Sequence, residues 1–288
     1  MADEATLLFG VGATKAGTSW LYRYLVAHPE CHLRAIKELH FFNVLDEDRQ
    51  ATQLDALTAT RDRLMRDDGG AGSAERARRI ADIDAYAPVL KSGDAAAYME
   101  YLNGGRTDQR LIADITPAYA LLSEGRLGRM ACMSSDVRFV YLLRDPVARL
   151  WSHVRMIARR RSTTGHDVAQ RAGQVLERVL SGAELHIVRR GDYRAALTRL
   201  RSAVAPSQLF TAFYETLFQA ETVTRLCAFL GLSNRPADFR RRVHAGVPVE
   251  MTEEQRDRAA VFLRPQYEFV EACLGRLPAA WEANRVGV

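Results

Sequence analysis

The sequence predicts an α/β fold, a central and mostly parallel β-sheet flanked by helices on both faces, in a single domain spanning residues 1–288. Two observations carry this. Short, mostly apolar runs of strand length recur at Leu7–Val11, Leu111–Ile115, Arg138–Leu143 and Leu209–Tyr214. Each is followed by a stretch with helical periodicity, and strands alternating with helices build parallel sheets covered on both faces.

The first unit reads strand, loop, helix. The run LLFGV (7–11) meets glycines, and a helical pattern then runs from Thr18 to Ala27, where His28-Pro29 stops it. Between Asp46 and Arg110 the pattern turns to polar helical segments, broken by Gly-rich residues at 67–72 and by KSGD at 91–94, which reads as a helical insertion covering the site. A helix from Asp145 to about Arg161 carries Arg149, Arg155, Arg159, Arg160 and Arg161, a charge that fits a solvated face. A closing helix from Thr252 to about Leu277 opens with a capping box, Thr252 and Gln255. Ligands of such sheets sit beyond the carboxyl ends of the strands, so the chemistry is expected just after Val11, Ile115, Leu143 and Tyr214.

Composition narrows the function classes. Of 288 residues, 48% are hydrophobic and 26% charged, too apolar for a disordered chain. The net charge of +5 is carried almost wholly by arginine, whose planar fork suits phosphate and sulfate oxygens. No zinc-finger spacing, basic-zipper heptad or RNA-binding aromatic signature points to nucleic acid. The four cysteines are far apart and read as buried, reduced thiols rather than a metal or disulfide set. The first residues lack the charge order of a secretory signal and no apolar run is long enough to span a bilayer, so a cytoplasmic enzyme without membrane insertion is expected.

The segment from Gly10 to Trp20 is the most informative part of the chain. Small residues between a strand and a helix let backbone N–H groups converge on an anion, and the helix start adds partial positive charge. Lys15 can reach the same place, and Thr18 and Ser19 can donate hydroxyls. The nucleoside-triphosphate loop reads GxxxxGK followed by Ser or Thr, whereas Lys15 precedes Gly17 by two residues and the hydroxyls follow that glycine. The loop is P-loop-like, but its order disfavours the usual magnesium ligand.

KAGTSWL (15–21) resembles the 5′-phosphosulfate-binding loop of sulfotransferases that use 3′-phosphoadenosine 5′-phosphosulfate (PAPS). YLLRDPVARLWS (141–152) is similar to that family's 3′-phosphate-binding strand and helix. Thr116–Tyr119, Gly191–Tyr193 with Leu197, Phe213–Glu215 and Phe229–Leu232 resemble further landmarks, so the resemblance spans nearly the whole chain. It implies the sulfotransferase fold and transfer of a sulfuryl group from PAPS to a hydroxyl, leaving adenosine 3′,5′-bisphosphate (PAP), with no metal. By the same resemblance Lys15, Ala16, Gly17, Thr18, Ser19 and Trp20 hold the 5′ side, Arg144 and Ser152 the 3′-phosphate, and Tyr214 lies near the nucleotide. Arg242, His244 and Gly246, in the basic stretch 240–246, resemble a loop that closes over it.

KELHFF (37–42) resembles a segment of the carbohydrate branch of that family, which includes heparan sulfate and bacterial glycan sulfotransferases. There the glutamate is the general base, which implies Glu38 here, with His40 as the second candidate. A hydroxyl attacking sulfur must shed its proton, and a positioned carboxylate or imidazole can take it. The sequence departs from the branch at Asp114–Thr116, where Ile115 offers an anionic sugar nothing. A bacterial-type enzyme acting on a glycan, a glycolipid or a small hydroxylated metabolite fits better than one acting on densely sulfated heparan. Two other readings use the same anion loop: a P-loop kinase with magnesium-ATP, and a non-catalytic nucleotide-binding module that has no need of Glu38.

Overall fold

The computed structural model describes residues 4–66, 72–163, 165–237 and 249–285. Its elements run β1 (Thr6–Gly12), α1 (Thr18–Val26), β2 (Cys31–Leu33), α2 (Phe41–Asp46), α3 (Gln50–Arg66), α4 (Ser73–Ser92), α5 (Ala95–Asn103) and β3 (Leu111–Asp114). They continue with α6 (Glu124–Ala131), β4 (Val137–Leu143), α7 (Pro146–Arg161), α8 (Val168–Leu180), α9 (Leu185–Arg189), α10 (Tyr193–Ala203), β5 (Leu209–Phe213), α11 (Ala220–Leu230), α12 (Glu253–Leu274) and α13 (Ala279–Glu282).

The five strands form one parallel sheet in the order β2-β3-β1-β4-β5, with helices on both faces as expected. β1 is central, pairing Leu8 with Ala113 on one side and with Arg138 on the other. Leu7, Leu8, Phe9 and Val11 are wholly buried, which is why that run carries no polar alternation. Each expected strand exists, with ends shifted by a residue. Ile115 leaves the sheet to pack on β1, where a Cβ at Gly10 would lie 2.6 Å from its Cδ1. β2, three residues long at the sheet edge, was not expected from the sequence.

α7 is capped by the Asp145 side chain, which accepts from the Ala148 N–H at 2.7 Å, with Pro146 at its first position. α12 opens with the expected capping box, the Thr252 hydroxyl accepting from the Gln255 N–H at 3.2 Å. It ends at Leu274, short of the expected Leu277, because Gly275 takes φ 83°. The 46–110 stretch forms α3, α4 and α5, with the break falling at Gly93 and Asp94, the latter capping α5.

Two expectations need correction. Arg149 lies on no solvated face: it is 1% exposed, between α7 and the turn at Gly191. Cys31 and Cys227 are buried, but Cys132 is exposed and Cys273 half-buried, so all four are free thiols in different settings. Among the described residues no helix is long and apolar enough to cross a membrane.

Candidate active site

The loop after β1 is shaped by backbone conformations that only some residues tolerate. Gly17 caps α1 with φ 103°, and a Cβ there would stand 3.0 Å from both Tyr214 Cδ2 and Leu217 Cδ2. Any side chain would therefore be strained and crowded at once. Lys15 also takes a left-handed conformation, φ 70°, which turns the loop back on itself. No side chain caps α1, so the N–H groups of its first turn are left for an outside acceptor. The Ala16 N–H is already spent, donating to Ala13 O at 3.1 Å, so Gly17, Thr18 and Ser19 supply the open amides.

Around this loop the structure gathers several of the expected residues. Arg144, at the end of β4, donates from Nη1 to Lys15 O at 3.3 Å, and its guanidinium lies 4.6 Å from the Tyr214 ring centre. Tyr214 follows β5, where its N–H donates to Leu143 O at 2.6 Å and its ring packs edge-on against Phe218. The half-buried Lys15 ammonium has its pKa lowered, first by burial and then by the charges of Arg144, Arg155, Arg160 and Lys37. The loop is therefore a partly desolvated concentration of positive charge, which an anion relieves. Ser152 is partly exposed on α7, two turns beyond Arg144. Trp20 contributes packing: it is 6% exposed, stacked on Tyr24 at 5.3 Å and edge-on to Phe218 at 5.5 Å. Arg242, His244 and Gly246 lie outside the described residues; Val249, just beyond them, accepts from Trp151 Nε1 at 2.9 Å.

Glu38 and His40 form a second cluster. Glu38 Oε1 accepts from Lys37 Nζ at 2.5 Å, and its Oε2 lies 3.5 Å from His40 Nε2. Burial alone raises the Glu38 pKa, but the hydrogen bond from His40 and the charge and hydrogen bond of Lys37 outweigh it and hold the carboxyl at about 2. His40 has φ 59°, a costly conformation for a non-glycine residue. It is held by Nδ1 against Asn43 Oδ1 at 3.0 Å and by its N–H to Thr116 Oγ1 at 3.4 Å. Lys37 joins the two clusters, since its charge acts on both Lys15 and Glu38.

Several supporting residues were given no role from the sequence, although Tyr193, Glu215, Thr116 and Tyr119 lie in its landmark stretches. The Tyr193 hydroxyl accepts from the Arg144 N–H at 3.1 Å and donates to Arg144 O at 2.5 Å, fixing the residue from both sides of its backbone. Glu215 Oε1 accepts from the Asp145 N–H at 2.9 Å. Fully buried Asp114 accepts from Thr116, Tyr119 and Tyr98 hydroxyls at 2.6, 2.7 and 2.8 Å, and so ties the Thr116 turn beneath His40 to β3 and α5. Burial raises the Asp114 pKa, against the lowering effect of those three hydrogen bonds. α4 pins the strand-to-α2 segment through Asp82, which pairs with Arg34 and accepts from the Ile36 N–H at 3.0 Å, and through Tyr86, which donates to Leu39 O at 2.9 Å.

The family model described as "Sulfotransferase family" matches residues 8–236. Among solved structures, the sulfotransferase from Alicyclobacillus acidocaldarius is similar over 97% of this chain and 99% of its own, at 24% identity and a TM-score of 0.61. The sulfotransferase domain from the Synechococcus PCC 7002 olefin synthase is similar over 90% of this chain and 96% of its own, at 18% identity and a TM-score of 0.50. At these identities the likeness is one of fold. No curated protein matches the chain.

Proposed function

The chain belongs to the sulfotransferase family, and from that premise we propose that it transfers a sulfuryl group from PAPS to the hydroxyl of a glycan, a glycolipid or a small hydroxylated metabolite. The observation that carries the reading is the assembly of Lys15, Arg144 and Tyr214 around a helix start whose amides are open. That donor set fits a nucleotide bearing phosphate on two sides: open amides and a desolvated ammonium at one end, a guanidinium at the other. PAPS supplies an activated sulfuryl group, and the sulfur–oxygen bond to its phosphate breaks as the acceptor oxygen bonds to sulfur.

The protein's part is orientation and charge. The Gly17, Thr18 and Ser19 amides hold the 5′-phosphate, while Arg144 and Ser152 hold the 3′-phosphate. Tyr214, already packed on Arg144, stands beside the nucleotide. Lys15 faces the bridging oxygen as negative charge grows on it, an effect worth about 3–4 kcal/mol for one well-placed donor. Glu38 takes the acceptor's proton, and His40, 3.5 Å away, positions it. A pKa of about 2 keeps Glu38 ionised and ready to accept at any working pH. It also makes Glu38 a weak base while Lys37 is paired with it, so entry of an acceptor that draws Lys37 away strengthens it.

Calorimetric titration with PAP and, separately, with magnesium-ATP tests the assignment without knowledge of the acceptor. Preference for PAP supports it and justifies an acceptor screen. Preference for magnesium-ATP replaces it with a kinase, and binding of PAP without turnover of any hydroxylated acceptor replaces it with a binding module.

A further inference from the structure

Arg190 stands directly after α9, half-buried, and among the described residues it donates no hydrogen bond and closes no ion pair. None of its nitrogens is sealed from solvent, so a ligand can reach them. A guanidinium keeps its proton, and a half-buried one without a counterion is costly. The carboxylates of the region already have partners. Glu184 holds Arg161 and Arg178 at 2.7 and 2.9 Å, and Asp192 Oδ1 accepts from the Ala195 N–H at 3.0 Å and from Gln266 Nε2 at 3.2 Å. Glu47 pairs with Arg49 at 3.2 Å and Glu38 with Lys37 at 2.5 Å.

Arg190 belongs to the acceptor side of the site. Burial lowers its pKa; Glu38, followed by Glu47, acts the other way, while Arg160 and Arg49 act with burial. On Glu38 itself the directly bonded His40 and Lys37 act more strongly. The leading charges on Lys15 are instead Arg144, Arg155, Arg160 and Lys37. Arg190 therefore lies toward the base rather than the nucleotide loop, and Arg160, whose charge acts on both Lys15 and Arg190, links the two. Arg160 is exposed on the last turn of α7 and likewise has no hydrogen bond or ion pair among the described residues.

We propose that Arg190, assisted by Arg160, binds an oxyanion carried by the acceptor, so that the substrate is a hydroxyl compound bearing a carboxylate or phosphate group. This rests on the sulfuryl-transfer reading and narrows it. The guanidinium fork matches two oxygens of either group and fixes its orientation as well as its place. With the acid group held there, a hydroxyl of the same molecule is brought to Glu38. Its oxygen bonds to sulfur, the sulfur–oxygen bond to the PAPS phosphate breaks with its electron pair passing to PAP, and Glu38 takes the proton. An acidic acceptor is also the kind that draws Lys37 off Glu38 as it enters, which raises the basicity of the carboxylate.

The test is transfer from PAPS by the full chain to an equimolar pool of matched hydroxyl compounds, read by mass spectrometry: glucose, glucuronate and glucose 6-phosphate, with glycerol and glycerol 3-phosphate. Acidic members should be sulfated roughly 10- to 100-fold faster than their neutral counterparts, the value of one charge-assisted pair. Glucuronate against glucose 6-phosphate tells a carboxylate from a phosphate. Arg190→Gln should raise KM for the acidic acceptor by the same factor and erase the preference, with PAP affinity unchanged by calorimetry, and Arg190→Lys should restore part of it. Equal or faster turnover of the neutral compounds, or an unchanged preference in Arg190→Gln, overturns the proposal while leaving sulfuryl transfer in place. No sulfated product, or no binding of PAP, refutes the transfer reading and this proposal with it. Should the variants fail to fold, the wild-type product ratio decides alone.

Discussion

Replacing Arg144 with alanine separates what the residue does for the fold from what it does for a nucleotide. To the fold it gives a long hydrogen bond to Lys15 O, at 3.3 Å, and a cation–π contact with Tyr214 at 4.6 Å. The cation–π contact is worth about 0.5–1 kcal/mol at a partly exposed site, and a hydrogen bond of that length adds about 0.5. The backbone clamp from Tyr193 is untouched by the substitution. Arg144→Ala should therefore lose about 1 kcal/mol of stability, or roughly 2–4 °C in melting temperature. To a phosphate it gives charge-assisted bonds of about 1.5–3 kcal/mol each. With two such bonds from a half-buried fork and some screening, about 2–4 kcal/mol should go, a 30- to 1000-fold loss of affinity.

The assay is calorimetry on both proteins with two ligands, PAP and adenosine 5′-monophosphate, which lacks the 3′-phosphate. Wild-type protein should prefer PAP by that factor. Arg144→Ala should bind the two ligands within about threefold of each other, with little change for the monophosphate. If the variant keeps the preference for PAP, Arg144 does not hold the 3′-phosphate, and the assignment of the β4–α7 junction falls with it.

Glu38→Gln should leave PAP affinity intact and lower kcat by about 10²–10⁴, the range of general-base removal, as read by acceptor turnover against calorimetric binding; unchanged turnover would move the base to His40. Lys15→Ala should lower kcat by about 10²–10³ or more and weaken PAP binding as well. Gly191→Ala should destabilise by about 1–3 kcal/mol, since its Cβ would lie 1.9 Å from Nη2 of a buried guanidinium that would have to shift, and chemical denaturation measures it. His153 is 2% exposed, and burial, followed by the charge of Arg149, depresses its pKa to about 2. It is therefore neutral in the native state, while in the unfolded chain it takes up a proton as the pH falls below the ordinary histidine value of 6.5. Stability should be fully present above that value and fall toward acid with a slope approaching about 1.4 kcal/mol per pH unit, a dependence that His153→Gln should flatten.

The loop, the central strands and α7 were legible because each leaves a local mark. Leu7–Val11 is apolar without alternation as the middle strand of a covered sheet must be, and Gly17 stands where φ 103° and the Tyr214 ring forbid a side chain. β2 left no mark, because three residues at a sheet edge, two of them half-buried, have no period to read. Arg149 was misread for a different reason. The charge-rich tail of α7, Arg159 to Arg161, is exposed, and the same charge pattern continues back through a turn that is buried. Burial depends there on a partner 42 positions away, the missing side chain of Gly191, and no helical period within α7 encodes it. The Arg144 backbone is likewise 49 positions from Tyr193, and His40 is 76 positions from Thr116. The groups proposed to touch a ligand sit at strand ends and helix starts, where local sequence dictates them. Groups that hold those in place are joined only by the topology, so their signal lies in spatial pairs such as arginine with glycine, which a single sequence displays but does not connect.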